Sequence, residues 1–74
     1  MHEDHENSIR KLELGLPYLL KHNQDHAKNM EQWIDRAKEA HRDDIALDLE
    51  SVLRLSRQIT RHFETALSKL KRTG

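Results

Sequence analysis

The sequence predicts an all-α fold: an antiparallel helical hairpin with a short N-terminal helix, dimerising into a four-helix bundle. Three observations predict it. Two long stretches place their inward positions at unbroken alternating steps of four and three, apolar but for Asn23, His41 and Ser56, the rhythm of helices that pack along a seam. A short polar stretch without apolar residues separates them, which suits a tight turn between antiparallel neighbours. The apolar stripes are also too wide for two helices to hide from water, so a second hairpin is expected to cover them.

Residues 1–15 form the first expected unit, a polar tail and a short helix. Residues 1–7 are polar and expected to fray. Asn7 or Ser8 suits an N-cap, and Ile9 and Leu12 share a side of the helix that follows. Gly15 is expected to end that helix, and Pro17 to sit in the first turn of the next.

Residues 16–74 form the hairpin. Its first helix is expected over about 17–40, with Leu16, Leu20, Asn23, Ala27, Met30, Ile34, Ala37 and His41 facing inward. Trp33 lies at the edge of that stripe, a position where an indole covers a core flank or a subunit contact. The turn falls near His41 to Asp44, with Asp43 or Asp44 as N-cap. The second helix is expected over about 43–70. Its inward series is Ile45, Leu49, Val52, Ser56, Ile59, Phe63, Ala66 and Leu70, widened by Leu53, Thr60 and Leu67. Lys69, Lys71 and Arg72 close it with the charge a helix C-terminus prefers.

Composition excludes several classes. The 74 residues make one small domain, which needs ideal packing, a metal or a partner chain to be stable. With no cysteine, disulfides and thiolate metal sites are ruled out. Thirteen basic residues balance thirteen acidic ones, which argues against a nucleic-acid binder. Arg54, Arg57 and Arg61 read as a solvated outer face. No apolar run is long enough to span a membrane, and the N-terminus lacks the apolar core of a signal peptide, so the cytoplasm is the expected location. There is no glycine-rich phosphate loop, no nucleophile beside a histidine and acid, and no Glu-x-x-His, so an enzyme is not expected.

The one unusual count is six histidines. His22 and His26 are four apart on a helix, so both rings can turn to one metal ion. If the turn centres near residue 42, His62 lies level with His22 on the same side of the hairpin. His22, His26 and His62 are therefore the candidate metal ligands, for a transition ion such as Zn, Ni, Cu or Fe. The bland alternative leaves these rings as amphipathic side chains at a stripe edge. His2 and His5 belong to the expected tail. Asn23, polar at an inward position, either fixes helix register or supports a ligand imidazole.

The segment PYLLKHNQDHAKNMEQWIDRAKEA resembles small uncharacterised helical-hairpin proteins of bacteria and archaea that carry H-W-x-x-H-N-x-x-H-A. His22, Asn23, His26 and Ala27 match the end of that pattern, and Trp33 matches the tryptophan of the acidic helix that follows. Tyr18 and Leu19 stand where the pattern has its first histidine and tryptophan. The resemblance implies the hairpin over roughly 16–70, and the departure at Tyr18 and Leu19 leaves no three-histidine ladder on one helix.

The expected function is a small helical-bundle protein that binds a transition metal through helix histidines. The alternative is a structural or protein-interaction module with no metal, taking a helical protein partner. In either case the chain is expected to form a homodimer or higher homo-oligomer.

Overall fold

A computed structural model describes the backbone of residues 2–72 and the side chains of residues 5–72. Among these residues there are two helices, α1 (His2–Glu39) and α2 (Asp43–Arg72), which pack against each other as a hairpin. The molecule measures 57 × 16 × 15 Å. Thirty-eight residues at a rise of 1.5 Å span that long dimension, so α1 runs the whole length as one rod.

The expected break at Gly15 is absent, and no separate N-terminal helix forms. Pro17 lies inside α1. Proline there forfeits the hydrogen bond to the Glu13 carbonyl, but Glu13 and Pro17 are both exposed, so water can donate to that carbonyl in place of the missing N–H. Gly15 has an ordinary negative φ, and a Cβ there would meet nothing within 4 Å. The spacing of Leu12, Leu16 and Leu19 continues the helical pattern across the glycine. A helix interior loses about 1 kcal/mol at a glycine and about 3 kcal/mol at a proline, and α1 runs on through both.

The turn lies where it was expected, and His41 makes it. The His41 N–H donates to the Lys38 carbonyl (3.0 Å) and the Arg42 N–H to the Ala37 carbonyl (2.9 Å), which together form a Schellman motif. That motif needs a left-handed residue, and His41 supplies it with φ 59°. Histidine pays for this conformation where glycine would not. Arg42, rather than Asp43 or Asp44, occupies the N-cap position of α2: its carbonyl accepts from the Ala46 N–H at 3.0 Å. The aspartates fill the first turn, where negative charge complements the helix dipole. The Arg42 guanidinium grips Asp44 through two bonds of 3.1 and 3.0 Å. This grip, helped by the Ile45 N–H, holds the Asp44 carboxyl below the usual aspartate range.

The α1 side of the seam is the expected one. Leu16, Leu20, Asn23, Ala27, Met30 and Ala37 are half-buried and Ile34 is 6% exposed; His41 alone of the series is exposed. The α2 side is rotated from expectation. Ala46 (3% exposed), Leu49, Leu53, Ser56, Thr60, Phe63, Leu67 and Leu70 line it, while Ile45, Val52 and Ile59 face out. Polar matching gives the reason for the rotation. The Asn23 amide donates to the Thr60 hydroxyl (2.7 Å) and to the Ser56 carbonyl (2.9 Å), so both its N–H groups are satisfied. The Thr60 hydroxyl in turn donates to the Ser56 carbonyl at 3.1 Å. With Ile59 inward instead, that amide would be buried without partners.

Candidate functional site

The seam divides the hairpin into two flanks of opposite character. On one flank, Glu31 and Lys38 of α1 face Arg57 and Glu50 of α2. Arg57 Nη2 lies 3.2 Å from Glu31 Oε1, and Lys38 Nζ lies 3.5 Å from Glu50 Oε1. Heptad spacing puts Leu12, Leu19, His26 and Trp33 of α1 on the other flank, beside Ile45, Val52, Ile59 and Ala66 of α2. Seven of these eight are apolar. Apart from half-buried Ala66, all of them are exposed in the single hairpin.

Of the histidine pair, His26 stands on this apolar flank and His22 one step outside it. His22 Nε2 and His26 Nε2 are 2.9 Å apart, one ring donating and the other accepting. The rings meet edge to face with centroids 4.4 Å apart, and Tyr18 stacks on the far side of His22 at 5.8 Å. Two imidazole nitrogens on one tetrahedral Zn²⁺ would stand about 3.3 Å apart, given Zn–N bonds near 2.0–2.1 Å. The pair is thus close to the spacing that a shared metal ion requires.

His62 does not join it. It is exposed on α2, and no three His, Asp or Glu side chains among the described residues form a group able to hold a metal ion. Asn23 is committed to Ser56 and Thr60 across the seam, so its amide acts on register and not on the imidazoles. His5 is exposed, and the His2 side chain lies outside the described residues. Trp33 is 56% exposed, with the Arg36 guanidinium 5.1 Å from its ring centroid. Sequence reasoning missed how one-sided the flanks are. The signal was present in the seven-residue spacing of Ile45, Val52 and Ile59, but those residues were assigned to the seam.

No helix among the described residues is long and apolar enough to cross a membrane. The fold and the histidine pair define a small all-α hairpin with one polar and one apolar side. The chain belongs to the family described as a domain of unknown function (DUF8180), whose model matches residues 12–70. That span coincides with the part of α1 that has α2 beside it. No curated protein and no solved structure matches the chain.

Proposed function

We propose that the protein is a self-assembling helical module, two hairpins joining by their apolar flanks into a four-helix bundle. The one-sided flank carries this reading. Large apolar residues line one flank from Leu12 to Trp33, while two ion pairs cross the opposite flank within the chain. Surface area supports it. The chain exposes 6399 Å², whereas a compact monomer of 8.8 kDa exposes about 4,800 Å². The surplus, roughly 1,600 Å², exceeds the ~800 Å² that each partner buries in a standard interface. A second copy fits because the flank is apolar along its length and offers no charge to a polar partner. Sedimentation equilibrium from micromolar to millimolar protein tests this. A mass of twice 8.8 kDa is expected, and 8.8 kDa throughout the range would refute the dimer.

A second reading is favoured by the 2.9 Å separation of the His22 and His26 nitrogens. Such a clip gives the bundle a place for a transition metal ion, and the bundle itself is the natural source of further ligands.

A further inference from the structure

We propose that the second copy completes a three-histidine metal site in trans, from His22 and His26 of one chain and the partner's His62. This rests on the bundle reading above and adds to it both the dimer geometry and the ligand set.

Within one chain, counting from the Asn23–Thr60 contact places His62 nearly level with His22. Both lie one step outside the apolar flank, on the side that the second hairpin would cover. The three histidines accordingly form no three-ligand group within one hairpin. A two-fold axis parallel to the helices preserves every level. It lays α1 of one copy across α2 of the other, antiparallel. Leu19 then meets the partner's Ala66, His26 meets the partner's Ile59, and Trp33 meets the partner's Val52. His22 meets the partner's His62.

Charge favours this arrangement. The same axis brings Arg36 level with the partner's Asp48. Neither residue takes part in the three ion pairs found among the described residues, and Arg36 already leans over the Trp33 ring. The rim therefore gains two opposite-charge pairs by symmetry, beside an apolar centre. Three neutral imidazoles leave one open position on a tetrahedral ion, the ligand set of an open Zn²⁺ site. Two such sites would form per dimer.

The test is complementation, with Zn²⁺ as the probe. One variant carries His22→Ala and His26→Ala, and the other carries His62→Ala. Each variant alone lacks a complete site, and Zn²⁺ affinity is expected to fall further than the roughly 10–100-fold that loss of a ligand's supporting group costs. The two are then unfolded together and refolded as an equimolar mixture. Random re-pairing makes about half of the dimers mixed, each with one intact site, so tight binding returns to about a quarter of the wild-type capacity. Calorimetric titration reads the capacity, circular dichroism checks the fold, and Asn replaces Ala should a variant fail to fold. A mixture that binds no more than its components, while sedimentation still shows dimers, overturns the trans site and leaves the bundle standing. Undiminished tight binding by the His62→Ala dimer also overturns it. Monomers in every sample would overturn both readings.

Discussion

The two flanks of the hairpin are built from the same two helices at the same spacing, yet they solve opposite problems. Glu31 and Lys38 find Arg57 and Glu50 across one flank, so that side is complete within the chain. Leu19 and Trp33 find only other exposed apolar side chains across the other flank. Exposed ion pairs contribute little stability, commonly under 1 kcal/mol. They cost little to leave in water, and they make that side a poor surface for association. The apolar flank gains only when water is removed from it. The contrast teaches that orientation in an assembly can be set by the side that declines contact as much as by the side that seeks it.

The largest effect should come from charging the apolar flank. Val52→Lys with Ile59→Lys changes two residues that border the seam and are 41% and 46% exposed in the single hairpin, so circular dichroism must first show that the helices are kept. In the proposed bundle the double substitution buries four ammonium groups, two from each chain, at a cost of at least about 4 kcal/mol, or a thousandfold in Kd. Sedimentation should then give 8.8 kDa where the parent is expected to give twice that mass. Unchanged assembly would show that this flank is not the interface.

A smaller effect tests how far the apolar flank reaches. Leu12 extends it only because α1 passes unbroken through Gly15. Gly15→Ala meets open space and removes the entropy cost of glycine in a helix, so stability should rise by about 0.5–1 kcal/mol. For a domain of this size that is an increase of a few degrees in Tm, read from a circular-dichroism melt. A lower Tm would mean that the glycine serves as the break its neighbours suggested.

Much of this architecture was legible in the sequence. The two helices, their turn and the whole α1 seam from Leu16 to Ala37 follow from the four-three spacing, because only one stripe of α1 is apolar there. The α2 seam was harder. Ile45, Val52 and Ile59 alternate with Ala46, Leu53 and Thr60 on a face three positions wide, and either set satisfies the periodicity. The choice belongs to Asn23, whose amide needs Thr60 opposite it; that is a tertiary demand which no single-helix pattern contains. The continuity through Gly15 and Pro17 was misread for a related reason. Breaking preferences are local, while the helix is held by the neighbours it packs against. At the site, His22 and His26 follow from i, i+4 geometry, and the separation of His62 from them depends on where its ring points, which sequence spacing does not give.

The smallest expected effect completes the comparison from the charged side. Glu31→Gln removes the carboxylate that Arg57 reaches at 3.2 Å while keeping the shape of the side chain. Both partners are more than half exposed, so water and salt screen the pair, and the loss should be no more than about 0.5 kcal/mol. The mass in solution should not change, because in the proposed bundle this flank faces away from the second hairpin. The same substitution at high salt should cost nothing measurable, since screening has already removed the interaction it deletes. If Glu31→Gln instead shifted the monomer–dimer equilibrium at low salt, the charged flank would be part of the interface. The two sides of the hairpin would then have to exchange the roles assigned to them.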